Sequence, residues 1–281
     1  MSVGIVNLKK PANADLQPQG SEGTLAGSGT PQLPTTGFRL DSGQSTTIPA
    51  VPGWSGRIWA RTGCTFDESG IGICQTGGCG GRLECDGNGA MPPVSLFEIT
   101  LGKGNDSDFY DVSIVDGYNL PIVAMPSGVY GGCNATGCAA NLNLGCPKEL
   151  QVVDGTEAAG GVVACRSACE AFGLDQYCCS GEYANPTSCR PSFYSNIFKR
   201  ACPRAYSYAF DDGTSIFTCK AYDYTITFCP TANGLRRSND VSIAPPIYGQ
   251  SDGEVVGMAV SSSNIVSFPL SMLLLLILNY F

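Results

Sequence analysis

Apolar and polar residues alternate in short runs through the middle of the chain. The runs GRIWARTG (56–63), VSLFEITL (94–101), FYDVSIVDG (109–117) and YDYTITFC (222–229) change character at nearly every second position. A period of two sends successive side chains to opposite faces of a strand. These runs therefore predict antiparallel strands with one face buried, and a mainly β fold. Turn residues bound them, and Gly77-Gly78, Gly80-Gly81 and Gly131-Gly132 mark tight turns.

One segment breaks the pattern. VVACRSACEAFGLDQYCC (162–179) predicts a short helix from about Ala164 to Phe172, with Cys165 and Cys169 one turn apart and Gly173 as its stop. From Cys133 to Cys202 the chain is rich in cysteines and loops. Such a stretch reads as a satellite subdomain whose apolar core is too small to stand without covalent staples.

The two ends differ from this middle. Pro11 to Pro34 is rich in Gly, Ser, Pro and Thr, and the first forty residues hold no apolar run of signal-peptide length. Residues 1–31 are accordingly expected to be flexible or the product of a mispredicted start. Residues 231–264 read as a polar linker and residues 265–281 as an apolar tail interrupted by Pro269. Small residues, a spacer and a terminal apolar tail describe a GPI-anchor signal, with Ser251, Asp252 and Gly253 as attachment candidates and Gly257 a weaker one. The alternative is a short tail-anchor helix.

Composition narrows the chemistry. A net charge of −8 argues against nucleic acid, whose phosphates call for basic patches, and leaves a neutral polysaccharide or a cationic partner. The chain has no histidine, which excludes Ser-His-Asp triads, Cys-His dyads and histidine-containing zinc sites. Any acid–base work falls to carboxylates, Lys, Tyr or Cys. Fifteen cysteines at irregular spacings, including the adjacent Cys178-Cys179, fit disulfides in an oxidising compartment better than metal knuckles. No metal and no cofactor are expected. The odd count leaves one thiol over, and its partner is expected upstream. Asn105-Asp106-Ser107 and Asn134-Ala135-Thr136 are glycosylation sequons, whereas Pro186 spoils Asn185-Pro186-Thr187.

Several long motifs then resemble one family. GRIWARTGC (56–64), CQTGGCGGRLEC (74–85), DFYDVSIVDGYNLP (108–121), CPRAYSYAFDD (202–212) and YTITFCP (224–230) are similar, in this order, to the plant thaumatin-like, pathogenesis-related proteins. The resemblance covers about residues 32–230. It implies a flattened β-sandwich of about eleven strands with a disulfide-rich satellite containing one short helix, at about 133–202. It also implies the pairs Cys64–Cys74, Cys79–Cys85, Cys133–Cys219, Cys138–Cys202, Cys146–Cys165, Cys169–Cys178 and Cys179–Cys189. Cys229 is left unpaired. The family's first strand finds no counterpart in these motifs, which leaves an edge of the sandwich open.

Many relatives line a cleft with one arginine and four acids. The matching positions are Arg57, Glu98, Asp111, Asp116 and one of Asp211 and Asp212, which the alignment of motifs does not separate. Carboxylates accept hydrogen bonds from vicinal hydroxyls, and a guanidinium donates in a fixed fork. Tyr110, Phe109 and Tyr118 flank the acids in sequence, with Phe109 and Asp111 on one strand face and Tyr110 on the other. Taken as turn residues, Asp116-Gly117 and Asp211-Asp212-Gly213 need no function at all. The resemblance implies an extracellular, defence-type monomer, in the apoplast or GPI-tethered at the outer plasma membrane, that binds β-1,3-glucan or a related wall polysaccharide. One alternative is a weak endo-β-1,3-glucanase with Glu98 and Asp111 as its catalytic pair. Another is a cell-surface scaffold for a protein ligand.

Overall fold

The computed structural model describes residues 4–9 (backbone only), 24–41, 43–127, 133–155 and 161–230. The first strands in chain order are β1 (Gly4–Lys9), β2 (Thr24–Thr30), β3 (Gly37–Arg39), β4 (Ser45–Pro49) and β5 (Ser55–Arg61). There follow β6 (Thr65–Phe66), β7 (Gly72–Ile73), β8 (Leu96–Thr100), β9 (Asp108–Ser113), β10 (Ile122–Ser127) and β11 (Thr136–Cys138). The last four are β12 (Gln151–Val153), β13 (Val162–Cys165), β14 (Phe217–Cys219) and β15 (Asp223–Phe228). The α-helices are α1 (Ala168–Phe172), α2 (Asp175–Cys178), α3 (Phe193–Ala201) and α4 (Asp212–Ser215).

Two sheets hold most of these strands. One has five strands in the order β11-β10-β15-β1-β4, and the other six in the order β14-β9-β8-β5-β2-β3. The alternation read from the sequence explains how they stack. Ile58, Phe97, Ile99, Tyr110 and Val112 of the six-stranded sheet share one apolar core with Ile122, Ala124, Tyr224, Ile226 and Phe228 of the other. The Tyr224 ring lies 5.1 Å from that of Tyr110 and 6.2 Å from that of Phe97. Fully burying one such side chain contributes about 1.5–3 kcal/mol, so this layer carries the sandwich. The intervening residues of β5, β8 and β9, among them Arg57, Glu98 and Asp111, necessarily turn to the outer face.

Part of that outer face is closed by a second, smaller core. Trp59 and Leu96 pack with Ala26, Val94, Cys79 and Cys85, and the Trp59 indole donates to the Gly77 carbonyl at 2.8 Å. Arg61 anchors the same loop: its buried guanidinium donates to the carbonyls of Arg82 (2.9 Å), Leu83 (2.8 Å) and Leu25 (3.0 Å). Burial pulls its pKa down to about 10, against the raising influence of Glu84.

The seven disulfides are those the resemblance implies, each with its predicted partner. Cys229 is the free cysteine among the described residues. Gly77, Gly80 and Gly81 have positive φ, as tight turns require; Gly131-Gly132 lie outside the described residues.

Four expectations need correction. Gly4–Lys9 supplies the strand thought to be missing: it pairs antiparallel with β15 and parallel with β4, so no edge is open between them. Thr24–Thr30, inside the stretch read as flexible, is an inner strand flanked by β3 and β5. Its Gly and Ser content was misleading because the small residues are packing requirements: a Cβ on Gly29 would meet the Ser55 carbonyl at 2.5 Å and the Trp54 ring at 2.7 Å. The predicted helix at 164–172 is shorter, because Ala164 and Cys165 close β13 and Ser167 is the N-cap, accepting from the Glu170 amide at 3.2 Å. Gly173 ends it in the left-handed conformation as expected. The satellite also carries more than one helix: α3 follows its N-cap Ser192, whose side chain accepts from the Ser195 amide at 3.0 Å.

Candidate functional site

The register of the six-stranded sheet aligns the site. Ser28 on β2 pairs with Arg57 on β5, Arg57 with Glu98 on β8, and Glu98 with Asp111 on β9. Directly opposed residues on one sheet face hold their Cβ atoms about 4.5–5.5 Å apart, so the four side chains form a row across the strands. Arg57 Nε donates to Glu98 Oε1 at 2.6 Å, and each of these side chains keeps 26% of its surface exposed. Asp111 Oδ1 is buried and has no hydrogen-bond partner.

Desolvation and crowding govern the acids. Burial pushes the Glu98 carboxyl up; the Arg57 charge pulls it back, and Asp116 pushes it up again. Burial also raises Asp111, well above the ordinary carboxylate range, with Glu98 and Asp212 adding to the rise and Arg57 opposing it. Asp111 is therefore the member of the row that holds a proton most tightly, and Glu98 the one next to a fixed cation.

Asp116 is both a turn residue and a neighbour of the row. Its carbonyl accepts from the Val94 amide at 3.1 Å, and Gly117, at φ 85°, donates to the Ile114 carbonyl at 3.2 Å. Its charge reaches Glu98 and Glu170. The two acids left open in the sequence have different partners. Asp211 Oδ2 accepts from the Ser207 amide (3.0 Å), the Ser207 hydroxyl (3.1 Å) and Lys199 Nζ (2.8 Å), which ties down the loop ahead of α4. Asp212 instead accepts from the Tyr206 hydroxyl at 2.7 Å, and its charge is felt at Asp111.

Two residues join the site without having been singled out. Tyr206 is placed beside β9 by backbone bonds, its amide to the Val112 carbonyl (2.8 Å) and its carbonyl from the Ile114 amide (2.9 Å). Burial and the surrounding acids keep its phenol protonated. No local signal marks it, because the bridge spans some ninety residues of chain. Glu170 on α1 had a legible one, the capping pattern Ser167-x-x-Glu170. Burial lifts its carboxyl to about 7, with Arg166 opposing and Asp116 reinforcing. The charge of Asp116, just past the end of the sandwich strand β9, is thus felt by a carboxyl of the satellite.

Two of the three aromatic candidates belong elsewhere. Tyr110 and Tyr118 are buried in the core, their hydroxyls donating to the carbonyls of Asn134 (2.6 Å) and Ala140 (2.8 Å). Phe109 is half-buried on the Asp111 face, opposite Thr100 and Thr218. The Cys229 thiol is pushed up by burial, the opposite of what a nucleophile needs.

The comparisons with known proteins concern the same residues. The profile of the Thaumatin family matches residues 21–230. The chain is 54% identical over 217 residues to "Thaumatin-like protein 1" of Arabidopsis thaliana, covering 74% of this chain and 81% of that protein. It is 56% identical over 208 residues to "Pathogenesis-related protein 5" of the same plant, covering 74% and 84%. "Pathogenesis-related thaumatin-like protein 3.5" of Cryptomeria japonica is 53% identical over 210 residues, covering 75% and 85%. With its sandwich, its seven disulfides and three quarters of its length matched in this way, the chain belongs to the thaumatin family.

Proposed function

We propose that the chain is an extracellular defence-type protein that binds β-1,3-glucan or a related wall polysaccharide on the row Arg57–Glu98–Asp111. The observation that carries this reading is the row itself: fixed donors and acceptors on the outer face of a rigid sheet, flanked by Asp116, Asp212, Tyr206 and the satellite's Glu170. Sugar hydroxyls donate to carboxylates and to a phenol oxygen, and accept from a guanidinium, so this arrangement of donor and acceptors suits vicinal diols. The seven disulfides support an oxidising compartment. Tethering through the 265–281 tail belongs to the same proposal, although the tail and its attachment candidates lie outside the described residues. Release of the protein from plant membranes by phosphatidylinositol-specific phospholipase C tests the tether.

Sedimentation with insoluble β-1,3-glucan tests the binding. The protein should leave the supernatant, and Arg57→Gln and Asp111→Ala should stay in it. Wild-type protein remaining in solution at every salt concentration would overturn the reading.

One observation favours an enzymatic second reading. Two register-paired carboxyls differ in environment, Asp111 raised and without a partner at Oδ1, Glu98 beside Arg57. Such a split suits an acid that protonates a glycosidic oxygen and a carboxylate that serves as base or nucleophile. Reducing ends released from soluble glucan by wild type and not by Asp111→Asn would establish it, and silence from wild type would exclude it.

A further inference from the structure

The acidic row makes no use of the two sequons at Asn105 and Asn134, and the fold treats them differently. Asn105 stands in the loop that joins β8 to β9, where Lys103 to Ser107 are all exposed. The Asp106 amide donates to the Lys103 carbonyl at 3.0 Å, closing a turn of four residues with Asn105 third. The second, Gly104, takes φ 59°, and a Cβ built on it would meet nothing within 4 Å, so the tip stands clear. Lys220 Nζ donates to the Asn105 carbonyl at 3.0 Å and to Asn105 Oδ1 at 3.2 Å. An ammonium only donates, so the oxygen of the side-chain amide faces Lys220 and the nitrogen faces away. Among the described residues that nitrogen, Nδ2, has no partner.

Asn134 is followed by residues that folding withdraws. Cys133, just before it, is tied to Cys219. Ala135 and Thr136 are buried. The Ala135 carbonyl accepts from Arg204 Nε at 2.8 Å, Thr136 pairs with Ala124 in the sheet, and its hydroxyl donates to the Arg204 carbonyl at 2.9 Å. A sequon is read through its asparagine and through the hydroxyl two residues on. The folded chain keeps both available at Asn105-Asp106-Ser107 and closes the second at Asn134-Ala135-Thr136.

We infer that Asn105 carries an N-linked glycan. The transfer joins Nδ2 to the anomeric carbon of an oligosaccharide held on a lipid pyrophosphate. The new C–N bond replaces the anomeric C–O bond, Nδ2 gives up one proton, and the lipid pyrophosphate leaves; nothing is oxidised or reduced. The inference rests on the extracellular part of the reading above, which supplies the compartment, and not on glucan binding. Thr100 pairs with Phe109 at the end of the β8–β9 hairpin next to this loop, whereas Asp116 lies past the other end of β9. The glycan therefore hangs from the end of the hairpin away from Asp116, leaves the row open, and adds a bulky hydrated group to the surface.

Mass spectrometry of the protein purified from plant tissue tests it. Chymotrypsin separates the two sequons, because Phe109, Tyr110 and Tyr118 lie between them. Release of the glycan by peptide N-glycosidase A in isotope-labelled water should put the label at position 105 and none at position 134. Asn105→Gln and Ser107→Ala should each abolish the label, with glucan sedimentation as in wild type. A thiol count on the same sample reads the compartment. No label at position 105 in protein whose seven disulfides are formed would overturn the glycan and leave the extracellular reading standing. No label together with reduced cysteines would overturn both. Label at position 134 alone would also overturn it, and label at both positions would uphold Asn105.

Discussion

Arg57 Nε and Glu98 Oε1 lie 2.6 Å apart on adjacent strands, and the same register sets Glu98 opposite Asp111. One cation therefore serves two carboxyls, directly at Glu98 and through the field at Asp111. Arg57→Gln should raise the proton affinity of Glu98 by on the order of tenfold or more, since an opposite charge at this range lowers a carboxyl pKa by about 1–3. Carboxyl NMR titration measures it. An unchanged Glu98 would mean that solvent screening, and not Arg57, sets its acidity.

The acids make stability depend on pH with a definite sign. Glu170 is raised from 4.5 to about 7, and Glu98 and Asp111 are raised too. A carboxyl that binds its proton more tightly when folded stabilises the protein below its unfolded pKa, and that contribution is lost as pH rises through the folded value. Urea midpoints should fall as pH goes from 4.5 to about 7, and Glu170→Gln should flatten that slope. Glu84 acts in the other direction. Burial works to raise it, but hydrogen bonds from Thr36 and Thr35 outweigh that and hold it below 4.5, so its contribution is lost on further acidification. A midpoint that rises steadily toward pH 7 would contradict this assignment.

Gly56 decides whether the row can assemble. A Cβ there would lie 2.3 Å from the Ser28 carbonyl and 2.7 Å from the Trp54 ring, neither of which is free to move. Gly56→Ala should cost about 1–3 kcal/mol in chemical denaturation, the range for overpacking a filled site. Glucan retention should drop with it, because β2 and β5 must separate next to Arg57. A variant as stable as wild type would show that the two strands can part without loss.

Arg61 is a structural residue despite its charge and its place in the most recognisable motif. Arg61→Leu would leave the Leu25, Arg82 and Leu83 carbonyls without their donor. At about 1–3 kcal/mol for each unsatisfied group, the loss should be roughly 3 kcal/mol or more, read from urea unfolding. Loss of glucan retention with unchanged stability would instead place Arg61 in the binding surface.

Much of this was legible in the chain. Alternation in VSLFEITL and FYDVSIVDG located β8 and β9 and told which residues share a face, because a pleated strand has a period of two. The motif resemblance carried the disulfide pairing and the acidic positions. Other features were hidden. TLAGSGT reads as linker by composition, yet it is a strand whose Gly29 makes room for Trp54. FYSNIFKRA lay among cysteines and passed for loop, although Ser192 is a proper cap.

What the sequence determined by itself is local: strand period, turn chemistry, the absence of histidine and the number of thiols, each a property of residues near one another in the chain. What only the tertiary structure decided is how distant residues meet. Tyr110 and Tyr118 go to the core and Phe109 to the outer face, Asp212 turns to Tyr206 while Asp211 turns to Lys199, and Glu170 comes within the field of Asp116. Such placements depend on strand register and on which backbone bonds close between separated segments. They follow from the packing free energy of the whole domain, which no window along the chain contains.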